Sequence, residues 1–171
     1  MSLKWLAVPL LGACFLISTA RADILTFGVE LDPFQEVPPH NTPGYGDADL
    51  TLDDVSGYVS ITLGTGVYAD LLAGASTVRL QDAAVGANGP TIFTFNLDTP
   101  GNTTGTFSGG GTLTAGQVTD MINTNTYINI TDPVYPSGEI RGQIILIPEP
   151  MSAALVCLGL AGFLALRRRR Q

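Results

Sequence analysis

In the run Gly138-Glu-Ile-Arg-Gly-Gln143 a carboxylate and a guanidinium stand two positions apart. On a strand that spacing projects Glu139 and Arg141 from one face, where a charge-assisted hydrogen bond would join them. Arginine does not exchange protons near neutrality, so the pair predicts a structural contact, not acid–base chemistry. Gly138 and Gly142 permit a tight turn and close backbone approach. A second candidate is the acidic run Asp47, Asp49, Asp53 and Asp54. Carboxylate oxygens suit Ca²⁺, but the spacing matches no EF-hand loop. Asp47 and Asp49 alternate with Ala48 and Leu50, as the wet side of a strand does. The reading is therefore no metal and no cofactor, with Ca²⁺ at these four acids as the alternative. His40, the only histidine, has no second imidazole and no neighbouring thiolate, and reads as a solvated loop side chain. No Gly-x-Ser-x-Gly nucleophile motif occurs. No catalytic residue is assigned, and the protein is read as not an enzyme.

These residues need strands to carry them. Residues 24–29, 59–64, 91–97 and 127–131 alternate in the two-residue period of strands, and residues 139–147 read as one longer final strand. Turn chemistry separates them at Asp54-Val-Ser-Gly57, Asn88-Gly89-Pro90, Pro100-Gly101-Asn102 and Pro136-Ser-Gly138. Many short strands with frequent turns predict an all-β fold, an antiparallel β-sandwich of immunoglobulin-like, Greek-key type. One short helix is predicted from Thr114, where Thr114-Ala-Gly-Gln117 has capping-box spacing and Val118, Met121 and Ile122 form an apolar face. Gly109-Gly110-Gly111 reads as a flexible or bulged spot.

Charge is divided unevenly along the 171 residues. Six of the eight cations lie near the ends, leaving Arg79 and Arg141 against fourteen acids in residues 23–147, a net charge of −12. Such a body repels nucleic acid and anionic lipid, so no nucleic-acid partner is expected. Cys14 and Cys157 both lie in the apolar end segments, so the middle has neither a disulfide nor a thiolate metal site.

The ends read as addresses. Lys4, an apolar run over residues 5–17, and Ala20 and Ala22 in small-x-small spacing make residues 1–22 a signal peptide, cut by signal peptidase after Ala22. At the other end, Pro148-Glu149-Pro150 precedes sixteen apolar residues and then Arg167, Arg168, Arg169 and Arg170. Sixteen helical residues span about 24 Å. That makes a transmembrane helix across a thin bilayer, with the arginines cytoplasmic and the preceding domain on the far side.

The tail resembles the PEP-CTERM sorting signal of Gram-negative bacteria that make extracellular polysaccharide. The resemblance implies exosortase as a partner, transient anchoring in the inner membrane, then display at the cell surface or in the matrix. Three internal pieces carry a second resemblance. They are Phe34-Gln-Glu-Val-Pro-Pro39, Gly86-Ala-Asn-Gly-Pro90, and Tyr127-Ile-Asn-Ile-Thr131 followed by Gly138-Glu-Ile-Arg-Gly-Gln143. In this order they resemble the CHRD domain, over about residues 24–146, and single out Glu36, Pro38, Asn88, Gly89, Pro90, Gly138, Glu139, Arg141 and Gly142 as family positions. Many CHRD sequences carry a His-x-His strand before the Gly-x-Asn-Gly-Pro turn and a further histidine before Gly-Glu-Ile-Arg-Gly. Here those places hold Arg79-Leu80-Gln81 and Thr131, so no histidine metal site is carried over. The expectation is a domain over residues 23–147 and a sorting tail over 148–171. The function expected is an exported, non-enzymatic envelope or matrix module, with extracellular polysaccharide as a neighbour. A calcium-binding or adhesion module and a metal-dependent oxidoreductase on a dismutase-like sandwich are the alternatives.

Overall fold

The computed structural model describes residues 24–148, apart from the side chains of residues 62–64. The expected signal segment, with Ala20 and Ala22, and the tail from Glu149 onward lie outside the described residues. Among the described residues no helix is long and apolar enough to cross a membrane.

Among the described residues nine strands and one α-helix follow one another: β1 (Ile24–Leu31), β2 (Tyr45–Asp53), β3 (Tyr58–Ala69), β4 (Thr77–Asp82), β5 (Thr91–Leu97), β6 (Gly105–Thr112), α1 (Ala115–Ile122), β7 (Thr126–Thr131), β8 (Ile140–Gln143) and β9 (Ile145–Leu146). A single 3-10 turn, Pro33–Gln35, follows β1, capped by Asp32. The mostly β, antiparallel character expected from the sequence is present. Strand formation follows side-chain alternation. β2 turns Gly46, Ala48, Leu50 and Leu52 inward and Tyr45, Asp47, Asp49 and Thr51 to solvent.

The strands pair in the order β8-β7-β4-β5-β6-β3-β2-β1-β9. The runs β3-β6-β5-β4 and β6-β5-β4-β7 each place a returning strand beside the far end of a meander, which is Greek-key topology. The two ends of this order, β8 and β9, are consecutive in the chain. Asp32 and Arg141 exchange backbone hydrogen bonds of 3.0 and 3.1 Å, joining the end of β1 to β8, while β9 pairs with β1 at Phe27 and Gly28. These contacts tie the two ends of the strand order together in an antiparallel arrangement compatible with the β-sandwich expected from the sequence. The single final strand expected over 139–147 is broken at Ile144, whose N–H goes to Thr126 O at 3.0 Å. The break lets one segment serve β7 and then β1.

Phe27, Leu50, Leu52, Val59, Val78, Leu80, Phe107, Ile128 and Ile130 fill the interior with no measurable exposure. Each such side chain contributes about 1.5–3 kcal/mol of transfer free energy. The helix starts at its expected cap: Thr114 N donates to Gln117 Oε1 at 2.9 Å and Gln117 N to Thr114 Oγ1 at 3.4 Å. Met121 is fully buried, but Ile122, expected on the inner face, is 38 % exposed. Ile122 is the last helical residue, about 100° around the helix from Met121 and next to the Asn123 cap.

The glycine run is part of β6. Gly109 takes φ of 121°, and a Cβ on Gly110 would fall 2.3 Å from Val59 O. The β3–β6 ladder shifts register between Ile61 and Gly66 with the extra residues on β3, while Gly109, Gly110 and Gly111 pair in continuous register with Ile61, Ser60 and Val59; the run expected as a flexible or bulged spot is a paired strand.

Every residue of β7 is buried. Its inward residues Ile128 and Ile130 face the core. Its outward residues Tyr127, Asn129 and Thr131 are covered by a third layer, formed by the loops around residues 33–44, 83–90 and 132–139. That layer carries the candidate site.

Candidate functional site

β8 lies beside β7 with Asn129 opposite Arg141 and Tyr127 opposite Gln143. Tyr127 is thus the diagonal neighbour of Arg141 on the covered face. The Arg141 guanidinium sits 3.5 Å from the centre of the Tyr127 ring, a stacked cation–π contact. The side chain is 1 % exposed. Its Nη1 donates to Ala87 O at 2.8 Å and Asn88 Oδ1 at 3.3 Å, and its Nη2 to Ala84 O and Gln143 Oε1 at 3.3 and 3.2 Å. One planar fork thus fastens the 84–88 loop to β8, a role a lysine ammonium cannot reproduce.

The expected Glu139–Arg141 pair does not form. Glu139 precedes the first residue of β8 and follows Gly138, whose φ is 147°, so two-residue alternation does not extend to it. Its carboxylate instead accepts from Leu72 N at 3.0 and 3.1 Å, across the molecule. Burial holds the Glu139 carboxyl above the usual range; the Leu72 N–H opposes this, and the carboxyl of Asp132 adds to it.

The acid that answers Arg141 is Glu36. It is 4 % exposed. Burial pushes its carboxyl from 4.5 up to about 7, against the lowering pull of Arg141 and of the Val37 N–H. Glu36 Oε1 and Asn129 Oδ1 are both buried without a hydrogen-bond partner. Asn129 Nδ2 donates to Ser137 O at 3.1 Å, which fixes the amide's orientation. A Cβ on Gly138 would lie 2.4 Å from each orphan oxygen, so the absent side chain leaves the room in which they meet. Protonated Glu36 can donate to Asn129 Oδ1 and satisfy both.

The remaining family positions gather here. Asn88 Nδ2 donates to Val37 O at 2.9 Å, and Gly89 N to Tyr127 Oη at 3.1 Å. A Cβ on Gly89 would fall 1.8 Å from Asp82 O, and one on Gly142 would fall 2.3 Å from Glu30 O, so both positions require glycine. Pro90 O accepts from Asp82 N at 3.0 Å. Pro38 follows a cis peptide bond with Val37.

The other sequence candidates lie elsewhere. Asp47, Asp49 and Asp54 are exposed. Asp53 Oδ1 closes the following turn by accepting from Val55 N and Ser56 N at 3.0 and 3.1 Å, and these bonds hold its carboxyl below the usual range. His40 stacks at 4.3 Å against Tyr135. Among the described residues, no three or more His, Cys, Asp and Glu side chains are gathered closely enough to hold a metal ion. Of the positions where the resemblance puts histidines, Arg79 and Gln81 fall on β4, and Thr131 Oγ1 meets Thr77 Oγ1 at 2.8 Å.

Sequence reasoning missed Tyr127 and Gln143 as partners of the arginine. Gln143 Nε2 reaches Ala83 O at 3.0 Å and Thr124 O at 2.7 Å, and Gln143 N donates to Gln35 Oε1 at 3.0 Å. The signal for Tyr127 was the polar–apolar alternation of residues 127–131; the β7–β8 register was needed to set it against Arg141.

These features define a class: a Greek-key β-domain whose sequence motifs converge on a buried, stacked arginine. The chain belongs to the CHRD domain family, whose model matches residues 27–144. No curated protein and no solved structure matches the chain.

Proposed function

We infer that the protein is an exported, non-enzymatic module of the cell envelope or extracellular matrix of a Gram-negative bacterium. The observation that carries this reading is the use of Arg141. The hydrogen bonds of its two terminal nitrogens go to oxygens of its own chain, so the most family-specific run holds loops in place. Export is supported by the two ends of the sequence. Residues 1–22 have the pattern that signal peptidase cuts, and Pro148, Glu149 and Pro150 with the apolar run and Arg167 to Arg170 have the pattern that exosortase processes. Anchoring in the inner membrane is then transient, and the body reaches the surface or matrix after processing. Deleting residues 148–171 is expected to move the protein from membrane and surface fractions to the soluble periplasm and to abolish the processing step. Unchanged fractionation and mass in the native host would sink the sorting reading.

A second reading is an adhesion or loose cation-binding role: Glu30, Asp32, Asp47 and Asp49 line an outward groove of about 860 Å³ beside β1 and β2, spread along it and not gathered into a metal cluster. Calorimetric titration with Ca²⁺ separates the two: heat and a rise in melting temperature at millimolar calcium would favour cation binding.

A further inference from the structure

The loop over residues 132–139 joins β7 to β8, and its two ends carry the buried carboxyls of Asp132 and Glu139. The two side chains meet in a hydrogen-bonding contact. Each also holds part of the loop layer in place. Asp132 Oδ1 accepts from Tyr135 N and turns the loop back on itself. Both Glu139 oxygens accept from Leu72 N, at 3.0 and 3.1 Å, and the Thr42 hydroxyl bonds to the same carboxyl. A Cβ on Gly44 would lie 3.1 Å from Glu139 Oε1, so the 42–44 segment packs directly on it. Among the described residues nothing donates to Asp132 Oδ2, which is buried.

Ionised carboxylates only accept hydrogen bonds, so a contact between two of them needs a proton. With both ionised, two like charges would share a site shielded from water. No arginine relieves them. Arg141 is engaged at Ala84, Ala87, Asn88 and Gln143, and Arg79 falls on β4; neither is among the groups that act on Glu139. Two carboxyls without a third acid, an imidazole or a thiolate fall short of a metal shell. The other titratable groups nearby belong to separate contacts. Glu36 faces Arg141 and Asn129, His40 and Tyr135 stack on each other, and Asp70, beside the Leu72 turn, is exposed.

We propose that Asp132 and Glu139 share one proton and act as a pH-operated clasp, which closes loop 132–139 onto the 42–44 and 70–72 segments while the proton is bound and loosens when the proton passes to water. Burial, the larger influence, and the Asp132 carboxyl both favour the protonated form of Glu139. The clasp is therefore closed in acid and weakens as pH rises. Opening frees Asn129, whose Nδ2 is tied to Ser137 O at 3.1 Å, and uncovers the outward row of β7. The inference goes beyond the sorting reading and stands without it, because the clasp answers to the pH around the domain wherever the chain resides.

The test is amide hydrogen exchange of the full chain in a nonionic detergent at pH 5 and pH 8, read as protection factors so that the chemical effect of pH on exchange is removed. Protection of the Leu72 amide should fall at least about tenfold at pH 8. The fall should persist in Glu36→Gln, which silences the other raised carboxyl. It should vanish in Glu139→Gln, whose amide keeps an acceptor for Leu72 N and a donor for Asp132 without titrating. Asp132→Asn should abolish it too, and takes its place if Glu139→Gln does not melt cooperatively. No fall at Leu72, a fall lost in Glu36→Gln, or one kept by a cooperatively melting Glu139→Gln or Asp132→Asn protein would each overturn the proposal.

Discussion

Arg141 and Glu36 face each other under the loop layer with different demands. The arginine satisfies four oxygen atoms and a ring face at once. Replacing it by Met removes the charge and strands those acceptors, which should destabilise the fold by about 3 kcal/mol or more. Arg141→Lys keeps the charge but lacks the fork, and should recover less than half of that loss. Denaturant unfolding of both variants checks the order. Glu36 makes a different prediction. Its folded carboxyl titrates near 7 and its unfolded one near 4.5. The stabilisation it brings is complete below the unfolded value and is lost as pH rises through the folded one. Stability should therefore fall between about pH 4.5 and 7, by about 2 kcal/mol after allowance for solvent screening. The raised carboxyl of Glu139 acts in the same direction. Glu36→Gln supplies a permanent donor to Asn129 and should flatten the slope. A melting temperature in the unsubstituted protein that climbs steadily from pH 5 to 7.5 would contradict this assignment.

At the scale of elements, local chemistry was legible wherever one short stretch decides the outcome. The Thr114 capping box is an example, and Thr114→Ala should cost about 1 kcal/mol in a thermal melt. The outward acids of β2 were legible for the same reason, since strict alternation places them without reference to other strands. β6 was not legible as a strand. Its Gly109-Gly110-Gly111 run has poor strand propensity and is stabilised by what surrounds it: a Cβ on Gly111 would fall 3.0 Å from Phe93 and one on Gly110 2.3 Å from Val59 O. Gly110→Val should therefore destabilise by at least about 2 kcal/mol, although valine is the better strand former. Gly86→Ala, at an open turn with nothing within 4 Å, should cost less, through its φ of 77° alone.

At the scale of the whole molecule, β8 and β9 join the two ends of the strand order. β8 pairs with β7 and β9 with β1, so losing this segment would expose two strand edges at once. A chain ending at Gly138 should lose cooperative unfolding and associate, which size-exclusion chromatography reads directly. Composition, alternation, turn residues and the spacing of the family pieces were enough to determine an acidic, antiparallel β body, a short helix from Thr114, and a structural role for Arg141. They could not determine the cation's partner. The two-residue rule favoured Glu139, but the positive φ of Gly138 takes that side chain out of the ladder, and the register of β8 on β7 delivers Tyr127 in its place. Nor could they bring Glu36 to Arg141, more than a hundred residues away along the chain. Periodicity reports which face a side chain takes; only the closed order of strands decides which distant segments share that face.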